Sequence, residues 1–403
     1  MTVICTEADS QLRSGTHARA WATIDLQALR ANLSLVRTTN PNCSLVVVVK
    51  ANAYGHGLVP VAEALRTQLS GRDCFGVATL DEALALRRAG ITEPVLLLEG
   101  FVTAAELEII VQHEFQFVVH ALYQLEILQT YFSGTKDFAP LSLWLKVDTG
   151  MHRLGLNETD FAAVWQSLHG SSHIDRLVVM SHFACADDPQ SPVTERQIAS
   201  LQQALAYAGV AEGDCDLSLA ASAAILIWPQ THFQWLRPGI MLYGGSAIAG
   251  ENGVDRGLLP VMTLRSRIIS IKTVAAGEVI GYGATYVCER EHRLAVVSIG
   301  YGDGYPRSAP NGTPVLIHSR SAQGPVRKMA ALAGRVSMDK IIVDLSGCEE
   351  AAVGDEVILW GEGLPADEIA RRCGTIAYEL FCQVTARVHY VYSDERGAFS
   401  WPR

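Results

Sequence analysis

No apolar run in this 403-residue sequence approaches the roughly 20 residues that a membrane-spanning helix needs, and stretches such as Leu45 to Val49 fall far below it. The first residues, Met1 to Arg19, lack the apolar core and small-residue cleavage site of a secretory signal, so the chain is expected to stay in the cytosol. Basic blocks are also missing. With a formal net charge of -10 spread along the chain, no stripe exists to neutralise a phosphate backbone, which argues against nucleic acid as a partner. There is no C-x-x-C pair. The nine cysteines are an odd, scattered set that fits neither a disulfide framework nor a zinc site, and no bound metal is expected. Internal repeats and low-complexity tracts are absent too. What is there, 49% hydrophobic and 18% charged residues, is the composition of a folded chain long enough for two domains or a barrel with an addition.

From about Trp21 to Tyr243, short β-rich runs alternate with helical patterns, the sign of parallel βαβ units. Asp25 can cap a helix with apolar positions at Leu26, Leu29, Leu33 and Val36, and Thr79 with Glu82 has the spacing of a capping box. Eight strand candidates follow in turn: Leu45 to Val49, Cys74 to Val77, Pro94 to Leu98, Phe117 to Val119, Leu141 to Val147, Leu177 to Met180, Leu217 to Leu219 and Gln234 to Leu236. Eight strands with intervening helices suit a TIM-like (β/α)8 barrel over residues 21–256, whose site would lie at the C-terminal ends of the strands. Lys50, Lys146, His182, Ser222 and Arg237 all sit at or just past such ends. Beyond Gly257 the texture turns to β-branched alternation with one short helix, Ala366 to Cys373, which makes residues 257–403 a mainly β domain. Residues 1–20 are expected to form a segment that packs on it.

The segment Val46-Val-Val-Val-Lys50-Ala-Asn-Ala-Tyr54-Gly-His-Gly57 delivers a lysine at the end of an apolar strand, followed by a glycine-punctuated turn. A partly desolvated lysine at a barrel mouth can lose its proton and form a Schiff base with a carbonyl cofactor. From the lysine alone, a side chain snorkelling at a strand end is the commoner outcome. Likewise, a lone tyrosine in a G-Y-G turn more often braces a loop, an arginine in R-P-G more often marks a surface turn, and Met338 more often packs a core.

The string VVKANAYGHG resembles the cofactor-lysine motif of the alanine racemase family, pyridoxal phosphate enzymes of the barrel class. The resemblance continues in family order through Lys146-Val-Asp-Thr-Gly-Met-His-Arg153, Ser181-His182-Phe-Ala, Arg237-Pro-Gly-Ile-Met-Leu-Tyr-Gly, Gly281-Tyr282-Gly-Ala-Thr-Tyr, Ile299-Gly-Tyr301-Gly-Asp-Gly-Tyr305-Pro, Gly334-Arg-Val-Ser-Met338-Asp339 and Tyr378-Glu. It implies racemisation of L- and D-alanine, supplying D-alanine for peptidoglycan or catabolising alanine. It also implies pyridoxal 5'-phosphate as cofactor and a homodimer whose sites are shared between chains.

Carried over residue by residue, the resemblance gives Lys50 the cofactor and the base on one face of the substrate α-carbon, and Tyr282, from the partner chain, the other face. Two bases are needed because the proton leaves one side of a planar carbanion and returns on the other. His182 would help the phenol act as a base. Arg237 would face the pyridine nitrogen, where its firmly held protons keep that nitrogen unprotonated and weaken the ring as an electron sink. Tyr54, Ser222, the backbone of Gly239 and Ile240, and Tyr378 match the phosphate contacts. Arg153 matches the arginine that binds the cofactor phenolate and the substrate carboxylate, and Lys146 stands where many members carry a carbamylated lysine. Tyr301, Met338 and Asp339 match the substrate entrance and pocket wall. Three positions depart from the usual pattern: His152 and Gly302 replace a frequent glycine and alanine, and Ala221 replaces a frequent asparagine, removing one polar group near the cofactor. Racemases of serine or lysine would share all this chemistry. Non-catalytic pyridoxal phosphate-binding proteins would resemble only the barrel half.

Overall fold

Short apolar strands separated by amphipathic helices bury both faces only as parallel strands with helical crossovers. The computed structural model, which describes residues 18–134, 138–321, 324–394 and 397–399, has this architecture. After β1 (Ala20–Asp25) come β2 (Ser44–Val48), β3 (Cys74–Val77), β4 (Val95–Leu97), β5 (Gln116–Val119), β6 (Leu141–Lys146), β7 (Ile174–Met180), β8 (Asp216–Ser218) and β9 (Trp235–Leu236). Strands β2 to β9 pair in parallel in the order β8-β7-β6-β5-β4-β3-β2-β9. Just past β8 and β9, Ala221 and Arg237 form a parallel bridge, and the Arg237 N–H donates to the Ala220 carbonyl at 2.9 Å, closing a (β/α)8 barrel. Each of the eight expected strands is present. Asp25 caps the helix Leu26–Thr39 through the Gln27 and Ala28 N–H groups, and the Thr79–Glu82 capping box is formed.

A second sheet follows: β10 (Met262–Val274), β13 (His292–Val297), β14 (Pro314–Ser321), β15 (Gly324–Leu332), β16 (Ile341–Asp344), β17 (Glu356–Trp360), β18 (His389–Asp394) and β19 (Gly397–Phe399). A separate hairpin, β11 (Val279–Ile280) with β12 (Tyr286–Val287), carries Tyr282 in its turn. The sheet order is β13-β16-β15-β14-β17-β10-β1-β18-β19, and a further antiparallel pairing of β10 with β13 curls it on itself. Two expectations need correction. Strand β1 falls within the segment assigned to the barrel, yet it pairs antiparallel with β10 and parallel with β18. Its partners lie more than 200 residues away, so no local pattern could assign it. Secondly, a helix Ala377–Cys382 follows the expected helix Ala366–Cys373. The expected N-terminal segment lies, for residues 1–17, outside the described residues. No helix among the described residues is long and apolar enough to cross a membrane.

Candidate active site

At the C-terminal end of β2 the chain makes an uncommon turn. Ala51, Asn52, Ala53 and Tyr54 all have φ between +52° and +54°, a left-handed turn built without glycine. Such residues are strained by about 1–2 kcal/mol each and persist only where the surroundings fix them. The fixing groups come from both domains. Glu82 accepts the Ala51 N–H at 2.7 Å, and Asn52 Oδ1 accepts the Leu58 N–H at 2.8 Å. His56 Nδ1 bonds the Tyr54 carbonyl at 2.8 Å. From β18, the Tyr390 and Tyr392 hydroxyls donate to the carbonyls of Gly55 and His56 at 2.8 and 3.1 Å. The turn thereby aims Lys50 and Tyr54 into one cavity of about 790 Å³ at the barrel mouth.

Four cationic side chains line that cavity: Lys50, Lys146, Arg153 and Arg237. Burial, and then Arg153, lowers the Lys50 pKa. Lys146, at the end of β6, is pushed down to about 8 by burial, with Arg237, Arg153 and Lys50 adding repulsion. Arg237, one residue past β9, is 4% exposed, and burial lowers it to about 10. Its guanidinium is clamped by Ser218 O at 2.6 Å, Ser218 Oγ at 2.7 Å and Ser181 O at 2.6 Å. His182, two residues past β7, sits beside it with Nδ1 at 3.4 Å from Nη2. Burial first, then Arg237, lowers the His182 pKa to about 3, so the ring is neutral. Since an arginine can only donate, Nδ1 faces it as acceptor, which leaves Nε2 to carry the hydrogen.

Hydroxyls gather at the opposite wall. Ser222 Oγ accepts the Gly239 N–H at 2.9 Å, and a Cβ on Gly239 would lie 2.5 Å from Tyr54 Oη and 3.7 Å from Ser222 Oγ. Glycine is therefore required where these groups converge. Tyr54 stacks on Tyr243 at 4.8 Å and lies 5.8 Å from Tyr378, whose helix Ala377–Cys382 borders the cavity. Ile240 lines the same wall. His152 has φ +55°, which accounts for a glycine preference there, and Asp148 holds it through both its N–H and Nδ1 at 3.0 Å.

Tyr282, Tyr301, Met338 and Asp339 do not line this cavity. They lie on the surface of the β domain, Tyr282 70%, Met338 53% and Tyr301 38% exposed. Sequence reasoning named every barrel group above except four that hold it in place: His56, Glu82 in this role, Ser218 and Tyr243. Glu82 had a signal in its capping box, and His56 and Tyr243 stood inside motifs that assigned them no role; Ser218, within a strand candidate, acts on Arg237, a contact that no local pattern announces.

Models of the alanine racemase N-terminal and C-terminal domains match residues 24–247 and 261–392. An alanine racemase of Vibrio vulnificus is 45% identical over 376 residues, 93% of this chain and 99% of that protein. One of Yersinia pestis is 46% identical over 377 residues, again 93% and 99%. The solved biosynthetic alanine racemase of Pseudomonas aeruginosa superposes with a TM-score of 0.85 at 44% identity, covering 94% of this chain and 100% of that one. The alanine racemase of Acinetobacter baumannii gives 0.82 at 36%, covering 93% and 99%.

Proposed function

This chain belongs to the alanine racemase family, and we infer from that membership that it is an isomerase interconverting L- and D-alanine. We propose that pyridoxal 5'-phosphate is its cofactor. The donor set fits that group: a lysine of lowered pKa for the carbonyl carbon, an arginine clamped by serine carbonyls for the ring nitrogen, and the Gly239 cradle with Tyr54 and Ser222 for the phosphate. Bound there, the cofactor supplies an electron sink that makes the substrate α-proton removable.

The protein's own groups divide the remaining work. Lys50, poorly solvated and repelled by Arg153, would hold the cofactor and move the proton on one face of the α-carbon. Tyr282 of a partner subunit serves the other face, and the His182 Nε2–H is free to donate to its phenolate. Arg237, an obligate donor, would face the ring nitrogen and leave it without a proton, which would weaken the electron sink and call for a base ready on each side of the α-carbon. Arg153 takes the substrate carboxylate, and Tyr301, Met338 and Asp339 of the partner subunit close the pocket. A carbamate on Lys146 would replace a disfavoured cation by an anion facing Arg153 and Arg237, and the lowered pKa supplies the neutral amine that this addition needs. We place the activity in the cytosol as a homodimer.

The observation that carries this reading is the convergence of Lys50, Arg237 and the Gly239 cradle on one cavity at the barrel mouth. A chiral assay against a panel of L-amino acids tests it: alanine should turn over fastest, whereas faster serine or lysine would reassign the substrate. Borohydride should fix the cofactor to the Lys50 peptide, and fixation elsewhere would remove Lys50 from its role.

A further inference from the structure

Beneath the Tyr301 loop, Asp303 is fully buried, and its carboxylate accepts the Gly300 N–H at 2.9 Å. A buried carboxylate needs charged partners. Two arginines supply them: Arg19, and Arg387 through Nε at 3.3 Å. Arg387 also reaches through Nη2 to Asp339 Oδ1 at 2.5 Å, while Arg19 Nη1 donates to the Asp339 carbonyl at 3.1 Å. The planar guanidinium of Arg387 thus ties the loop of Tyr301 to the loop of Met338 and Asp339, a bridge its several fixed donors allow and a lysine's point charge does not. Backbone bonds join the same loops, Tyr301 N–H to Ser337 O at 3.0 Å and Gly302 N–H to Met338 O at 2.9 Å.

Gly302 makes this possible. A Cβ there would lie 2.3 Å from Arg387 Nη1, 3.0 Å from Met338 O and 3.2 Å from Met338 Cγ. The guanidinium therefore occupies the space that a methyl group would fill, against the Met338 side chain. A methyl at 302 would push away the flexible end of Arg387, its worst contact, while the Met338 carbonyl would have to give only slightly.

We propose that Arg387, admitted by the absent side chain at Gly302, is a positioning residue that fixes Tyr301 and Met338 as the substrate-facing wall and so sets how large a side chain the enzyme accepts. The inference rests on the reading that these two residues face a partner subunit's cavity. Lys50 and Tyr282 are on other elements, so loosening the wall should act on binding and selectivity more than on turnover.

The test compares L-alanine with L-2-aminobutyrate on the holoenzyme. Gly302→Ala, which keeps every charge, and Arg387→Met should each raise KM for L-alanine about five-fold with kcat lowered less than about two-fold, and both should favour 2-aminobutyrate relative to native enzyme. The double variant should add little to Arg387→Met, because the guanidinium that the methyl chiefly displaces is already gone. Additive penalties, or an unchanged selectivity in both singles while Met338→Ala shifts it, would overturn the role of Arg387. If Met338→Ala leaves selectivity unchanged as well, the wall itself is misread and the proposal falls with it.

Discussion

At the end of β2 the Lys50 ammonium is poorly solvated, and burial, with Arg153 adding repulsion, lowers its pKa against the opposing pull of Glu99 and Glu82; in the proposed function that shift favours the neutral amine that a nucleophile and base needs. Lys50→Ala should lose at least about 10³-fold in racemisation, as expected when a nucleophile and a proton-transfer group are lost together; native turnover by this variant would remove Lys50 from the chemistry. With Arg237 at the ring nitrogen as proposed, Arg237→Glu would offer that nitrogen a proton. Racemisation should slow while transamination rises, measured as pyruvate formed from alanine, and an unchanged product ratio would place Arg237 elsewhere.

His56 shows how a residue can serve the site without touching it. Fully buried, it spends its Nδ1 hydrogen on the left-handed turn, while Nε2 has no partner among the described residues. Burial lowers its pKa to about 4. Between pH 6.5 and about 4 the unfolded chain takes up a proton that the folded ring refuses, so stability falls as pH falls through that window, by about 1.4 kcal/mol per unit where the effect is full. His56→Gln should lose about one proton's worth of that slope in urea unfolding at pH 6.5 and 5. An unchanged slope would mean that the ring is protonated in the fold. The motif containing His56 was legible in the sequence, but its burial was not, since Tyr243 and Phe381, which pack around it, are far along the chain.

Among elements, the barrel strands were legible because each is a short apolar run between caps, a signal contained within its own residues. Strand β1 and strand β18 were not, for their place depends on each other and on β10. The conformation after Lys50 was equally hidden. Ala-Asn-Ala-Tyr has no glycine to announce a left-handed turn, and the groups that hold it come from residue 82 and residues 390 and 392. Gly55 is where this turn meets the second domain: its φ is +76°, and a Cβ would lie 2.1 Å from the Phe381 carbonyl oxygen. Gly55→Ala should destabilise the enzyme by more than about 2 kcal/mol, as strain and overpacking combine, and it should lose the cofactor absorbance. Retained absorbance and an unchanged Tm would show that the turn can relax without consequence.

For the molecule as a whole, one chain presents Lys50 in a cavity and Tyr282 on an outward-facing hairpin. In the proposed C2 dimer each hairpin would meet the other chain's cavity, which would cover the exposed Tyr282 and Met338 and make two equal sites. The resemblance named Lys50 and Tyr282 and expected them to come from different chains; the fold adds that Tyr282 is 70% exposed and does not line the cavity that holds Lys50. The central claim is that Lys50 of one chain works with Tyr282 of the other, and co-expression of Lys50→Ala chains with Tyr282→Phe chains tests it. Mixed dimers contain one site with both defects and one with neither, so isolated mixed dimers should recover about half of native activity while each parent stays nearly inactive. Mixed dimers as inactive as the parents, or a stable monomer racemising alanine at full rate, would contradict the account.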